Sequence, residues 1–140
     1  MERTQTFFRV QNNLEEIPRV HEIFSDFAGR CGLPEEVRFA FDLALEEILT
    51  NVILHGFTGE APHEIEVRLC VEGTQVTAEV EDNGLAFNPL EHPDPDTTRS
   101  LQERAVGGLG ILLVRRLMEA LEYRRHGNRN LLVMSKRWSR

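Results

Sequence analysis

Gly107-Gly108-Leu109-Gly110 heads an apolar run, Asp82-Asn83-Gly84 closes an alternating one, and the segment between them, Leu85 to Val106, is polar and broken by Pro89, Pro93 and Pro95. Connections of this length are uncommon in compact domains and are usually functional. The chain must therefore fold so that a strand end and a helix start hold the two ends of a lid-like loop at about 85–106. Glycine lets a backbone amide come close to a ligand, and a helix N-terminus offers unpaired N–H groups with partial positive charge. Such an end is suited to phosphate and points to a nucleotide. A glycine cluster before a helix also serves as a plain flexible connector, so other parts of the chain have to decide between the two.

Glu47 and Asn51 supply a second constraint. In Ala44-Leu45-Glu46-Glu47-Ile48-Leu49-Thr50-Asn51 they stand four apart and share a helix face. A carboxylate and an amide stacked there suit a hydroxyl nucleophile and a magnesium ion. Asn51 lies beside the apolar stripe, where an asparagine can also be a satisfied structural residue; Glu47 one turn earlier and the glycine-rich end favour the ligand role. Glu46 is the competing carboxylate, about 100° round the helix from Glu47, and a solvated or salt-bridged position is its alternative.

Periodicity places these motifs on elements. Thr6 to Val10 reads as an opening strand, and Asn12-Asn13 offers an N-cap ahead of Leu14-Glu15-Glu16. Ile17, Val20, Phe24, Phe27 and Cys31 make one helical stripe that Gly29 and Gly32 bring to an end, and Pro34-Glu35-Glu36 starts a second helix. That helix runs to about His55, with Val37, Phe41, Ala44, Ile48 and Val52 as its buried face. Ile65, Val67, Leu69 and Val71, then Val76, Ala78 and Val80, alternate as two strands about Glu72-Gly73. After the lid, Ile111 to Met118 is helical, and Leu121–Arg125 with Asn130–Ser135 form a last hairpin. The order strand, helix, helix, strand, strand, loop, helix, strand, strand predicts an α+β two-layer sandwich, a mostly antiparallel mixed sheet with helices on one face.

The 140 residues fit one domain, 1–140, large enough to bury a core without disulfide or metal staples. Cys31 and Cys70, far apart and without CxxC spacing, read as buried free thiols. Met1 to Thr6 lacks an apolar leader core, and no stretch approaches the roughly 20 apolar residues of a membrane span. A cytoplasmic protein with no membrane association is therefore expected. The formal charge of -7 argues against direct nucleic-acid binding, although Arg115, Arg116, Arg124, Arg125, Lys136, Arg137 and Arg140 gather basic charge toward the C-terminus. His92, Asp94 and Asp96 alternate in the proline-rich loop and read as exposed lid residues rather than metal ligands.

Taken in order, these motifs resemble the GHKL ATPase superfamily, whose histidine kinase-like (Bergerat) fold is shared by sensor histidine kinases, gyrase B, MutL and the bacterial anti-sigma serine kinases. Ala44 to Gly56, with Glu47, Asn51 and His55-Gly56, resembles the N box of the anti-sigma kinases. Asp82-Asn83-Gly84-Leu85-Ala86-Phe87-Asn88-Pro89 resembles the G1 box, and Gly107 to Val114 resembles the G2 box. Ala86 stands where many G1 boxes carry a second glycine, so the lid is expected to start differently here. A sensor kinase would need a preceding helical hairpin with its phospho-accepting histidine, and gyrase-like enzymes need further domains. The anti-sigma serine-kinase branch is thus the one implied: a Mg-ATP-dependent serine/threonine kinase that dimerises, binds a sigma factor and phosphorylates a STAS-domain anti-anti-sigma protein. The rival reading is a nucleotide-dependent module that sequesters its partner without phosphotransfer.

The resemblance also assigns roles. Asp82 would accept a hydrogen bond from the adenine amine, with Gly84 letting the base lie close, although Asp-Asn-Gly is also an ordinary hairpin turn. Gly108, Leu109 and Gly110, supported by Gly107, would present amides to the β- and γ-phosphates. Asn51 would ligate magnesium, which takes few protein groups beside phosphate oxygens. Glu47 would be the general base. Arg104 could close over the γ-phosphate or remain solvated, and His55 could orient the N box or simply end the helix.

Overall fold

The alternation at Ile65–Val71 and Val76–Val80 does produce two strands, and they form the centre of a five-stranded sheet. In the computed structural model, which describes residues 3–57, 63–86, 88 and 108–139, the elements follow the expected order. They are β1 (Arg3–Gln11), a 3-10 turn (Leu14–Glu16), α1 (Ile17–Cys31), α2 (Glu35–His55), β2 (Glu64–Glu72), β3 (Gln75–Asp82), α3 (Gly108–Leu117), β4 (Ala120–His126) and β5 (Arg129–Arg137). The strands lie in the order β1-β2-β3-β5-β4. Every pairing among the described residues is antiparallel, so the sheet is not mixed.

Strand alternation decides which face is covered. Val76, Ala78, Val80 and Asp82 on β3, and Asn130, Leu132 and Met134 on β5, are buried, while the residues between them are only partly so. These inward positions join Val20, Phe24 and Phe27 of α1, Phe41, Leu45 and Ile48 of α2, and Ile111 and Val114 of α3 in one hydrophobic cluster. The result is the expected α+β two-layer arrangement. The other face is polar: Arg68 reaches Glu79 at 2.7 Å and Glu81 at 3.0 Å, and Arg129 bonds Glu81 as well.

Several element ends differ from the sequence reading, each for a local reason. β1 begins at Arg3, because the first residues of this edge strand are polar and carry no apolar alternation to reveal them. Gly32 alone caps α1, at φ 65°, a left-handed conformation that favours glycine; Gly29 lies inside the helix. Asn13 does cap, its side chain accepting from the Glu15 amide, but of a single 3-10 turn. α3 starts at Gly108 rather than after Gly110. Its last carbonyl, on Leu117, accepts a 2.9 Å bond from Lys136 Nζ.

α1 is fastened to α2 partly by charge. His21 Nδ1 lies 2.9 Å from Asp42 Oδ1, and its Nε2 lies 3.6 Å from Glu46 Oε1. Burial pushes the imidazole down, but the hydrogen bonds and charges of Asp42 and Glu46 outweigh it and hold the histidine above its usual 6.5. A raised folded-state value stabilises below the unfolded one, so this contribution is complete below about pH 6.5 and fades as pH rises through the shifted value. Solvent screening of these half-exposed groups keeps it under about 1 kcal/mol. In thermal melts, His21→Gln should therefore fall below the parent chain at mildly acidic pH and match it at alkaline pH.

Candidate nucleotide site

The functional residues gather where α2 ends, β3 ends, α3 begins and the β4–β5 hairpin turns. Gly108, Leu109 and Gly110 are the first three residues of α3. First-turn amides have no intrahelical acceptor, so these N–H groups are the ones the helix leaves for an anion. Across from them, the packing of α2 on α3 is so close that a Cβ on Gly110 would lie 1.9 Å from Glu47 Oε2 and 2.3 Å from its carboxyl carbon. All of these atoms belong to the Glu47 side chain, so a side chain at 110 would turn Glu47 away, and glycine there lets the glycine-rich helix start lie against the N-box carboxylate.

Burial raises the carboxyl of Glu47 above its ordinary range, and the charge of the adjacent Glu46 adds to this. That is the direction expected of a group held ready to take a proton. Glu46 turns toward His21, which leaves Glu47 as the carboxylate facing α3.

Asn51, one turn further along α2, is buried, with 3% of its surface exposed, and its Nδ2 has no hydrogen-bond partner among the described residues. An orphaned buried polar atom costs about 1–3 kcal/mol. The orphan is an N–H donor and so fits a phosphate oxygen; a hard cation would take the other atom of the amide, Oδ1. His55 is the exposed last residue of α2. Among the described residues no cluster of three or more His, Cys, Asp or Glu could hold a metal.

Asp82, 4% exposed, is held at the inner end of β3. Its Oδ1 accepts the Gly84 amide at 2.8 Å and Asn130 Nδ2 at 3.0 Å. Both described bonds go to that oxygen. A cavity of about 10 Å³ beside it, room for about one water and not for a base, is lined by Ile48, Val52, Val80, Tyr123, Asn130 and Leu132. Gly84 is fixed by close backbone approach, since a Cβ there would lie 2.2 Å from the carbonyl oxygen of Gly56, and Leu85 N donates to that same oxygen at 2.7 Å. Ala86 adopts no positive φ, so the turn continues without a second glycine.

The structure thus sets Gly110, in the first turn of α3 with Gly108 and Leu109, against Glu47, with Asn51 one turn further along α2, and places Asp82 and Gly84 beside Ile48, Val52 and Gly56 at the end of that same helix. Gly107 and Arg104, with residues 89–106 of the lid, lie outside the described residues, as do His92, Asp94 and Asp96. Asn130, Tyr123 and Arg125 were not legible as site residues. Asn130 had a signal, a polar residue at the inward phase of a strand, but its meaning depends on the register that sets it opposite Asp82.

A family model described as "Histidine kinase-like ATPase domain" matches residues 10–136. The chain belongs to the histidine kinase-like ATPase family. Within the family it is similar to the serine/threonine-protein kinase BtrW of Bordetella bronchiseptica, 34% identical over 99 residues, covering 71% of this chain and 70% of that protein. It is also similar to the serine-protein kinase RsbW of Listeria monocytogenes, 30% identical over 99 residues, covering 68% of this chain. The chain spans 63% of that protein's length, somewhat under two thirds. The anti-sigma F factor of Clostridium perfringens is 24% identical over 94 residues, with 67% of each chain covered. Among solved structures, the histidine kinase AdeS of Acinetobacter baumannii superposes with a TM-score of 0.50 at 12% identity, covering 98% of this chain and 68% of that one. That last likeness concerns the fold alone. Among the described residues no helix is long and apolar enough to cross a membrane.

Proposed function

We propose that this chain is an anti-sigma-type regulator that binds Mg-ATP and transfers the γ-phosphoryl group to a serine or threonine of a small STAS-domain anti-anti-sigma protein. The observation that carries the proposal is the approach of Gly110 to Glu47, which sets a proton acceptor beside the amides that suit phosphate. The resemblance to serine-protein kinases and an anti-sigma factor supports the choice of partner class. A cytoplasmic homodimer that also engages a sigma factor belongs to the same reading.

Asp82 fixes the base, with Gly84 keeping the backbone clear, and the amides of Gly107, Gly108, Leu109 and Gly110 hold the phosphates. Asn51 is the residue that would ligate magnesium, an ion that, when bound, neutralises charge on the phosphate oxygens. Glu47 accepts the proton of the incoming hydroxyl as its oxygen bonds to the γ-phosphorus and the bond to the ADP oxygen breaks. Arg104 is assigned to the γ-phosphate because it falls shortly before the glycine-rich turn in the sequence.

Calorimetric titration of the whole chain with ATP, with and without magnesium, tests this reading when Asp82→Asn is run beside it. An asparagine can still accept from Gly84 and Asn130 through Oδ1, but it presents an N–H where the adenine amine needs an acceptor. Affinity should fall about tenfold or more, and the parent should bind more tightly with magnesium. Absence of binding at millimolar nucleotide would leave a fold that acts through protein contacts alone.

A further inference from the structure

Asn130 is a buried amide, 5% exposed, whose four hydrogen-bonding positions are all used. Its Nδ2 donates to Asp82 Oδ1 at 3.0 Å and to the Leu85 carbonyl at 2.7 Å. Its Oδ1 accepts from the Tyr123 hydroxyl and from Arg125 Nη1 at 3.1 Å. Arg125 Nη1 also donates to the Gly84 carbonyl at 2.8 Å. An amide has two possible orientations, and here only one is satisfied. Turned over, it would set its oxygen against two acceptors, Asp82 and Leu85, and its N–H groups against the guanidinium, which cannot accept. The β4–β5 hairpin therefore grips the turn after β3 at its carboxylate and at both of its carbonyls, from a strand outside the recognised nucleotide boxes.

We propose that Asn130, oriented by Tyr123 and Arg125, is the positioning residue that commits one oxygen of Asp82 to the protein and leaves the other to read an adenine amine, and so sets selectivity for ATP over GTP. This rests on the nucleotide reading above. Asn130 acts through Asp82: without it Oδ1 keeps only the Gly84 amide, the carboxylate is held by one bond instead of two and can turn about it, and the distinction between an amine and a carbonyl on the base is blurred.

The discriminating variant is Asn130→Asp. It keeps the shape, retains an acceptor for Tyr123 and Arg125, and sets a second carboxylate against Asp82 Oδ1. Two carboxylates this close share one proton with a raised apparent pKa. At about pH 8 the pair should repel, and at about pH 5.5 the shared proton should restore the missing donor. Titrating parent and variant with Mg-ATP and Mg-GTP at both pH values, the variant should lose ATP affinity about tenfold or more at the higher pH and regain most of it at the lower one. Its ATP-over-GTP preference should fall and return in step. A loss equal at both pH values, or no loss, overturns the proposal, because a packing defect does not titrate. If Asn130→Asp does not fold, the double variant Tyr123→Phe, Arg125→Met removes both donors from Oδ1 at less buried positions. An unchanged ATP-over-GTP preference there overturns the proposal equally. A parent chain that binds no ATP defeats the nucleotide reading itself and this role with it, an outcome distinct from the variants' failures.

Discussion

Glu47→Gln is expected to cut phosphotransfer by about 10²–10⁴ while leaving ATP affinity within a few-fold of the parent. The glutamine preserves the volume packed against Gly110 and removes only the ability to take a proton. A second signature comes from the raised carboxyl of Glu47. A carboxylate whose folded-state value lies above the unfolded one penalises the fold wherever it is ionised, and the penalty disappears once pH drops below the unfolded value of about 4.5. The variant should accordingly melt higher than the parent at neutral pH, with the gain closing as the solution is acidified. Activity and stability would then move in opposite directions, as expected where function holds a charge in an unfavourable place. Radiolabel transfer from ATP to a STAS-domain protein, run beside thermal melts across pH, measures both. A variant with full transfer would remove Glu47 from the chemistry and leave a module that binds nucleotide without moving phosphate.

Gly84→Ala should be strongly damaging, because its close neighbour is backbone. The added Cβ would lie 2.2 Å from the Gly56 carbonyl oxygen and 2.9 Å from Asp82 Oδ1. The nearest of these is backbone and cannot swing aside, so the turn itself must move. Overpacking of this kind costs about 1–3 kcal/mol, and the shift would separate Leu85 N from Gly56 and displace Gly84 O from Arg125. Nucleotide affinity should fall below what calorimetry detects, with a lowered melting temperature and near-parental circular dichroism. Retention of affinity would show that the turn beyond Asp82 takes no part in holding the base.

The parts of the fold legible in the sequence were those with a period. Alternation gave β2 and β3, and the helical stripe gave α2 to within a residue at each end. The stripe Val37, Phe41, Ala44, Ile48, Val52 nevertheless describes only part of what α2 buries. Ala40, Leu45 and Leu49 are buried as well, because α2 packs on α1 and α3 as well as on the sheet. The site was legible wherever its residues are close in sequence: Glu47 with Asn51, Asp82 with Gly84, the glycines with each other. Contacts formed by pairing distant strands were hidden. Nothing in Tyr123-Arg124-Arg125 or in Asn130 announces Asp82 as a neighbour until β3 and β5 are set in register. The steric demand at Gly110 was hidden for the same reason, since it arises from Glu47 on another helix.

The pairing of β3 with β5 also fixes when the protein can first work. Asp82 leaves the ribosome well before Asn130, and a chain still under synthesis that has exposed β3 but not β5 has a carboxylate held by the Gly84 amide alone and no hairpin gripping the turn beside it. On the nucleotide reading proposed above, competence to bind is thus acquired only once β5 has paired with β3, rather than with the motifs that name the family. On that same reading, a copy cut before β5 would have the N-box helix and the Asp-Asn-Gly turn yet compete poorly for ATP, silent instead of partly active.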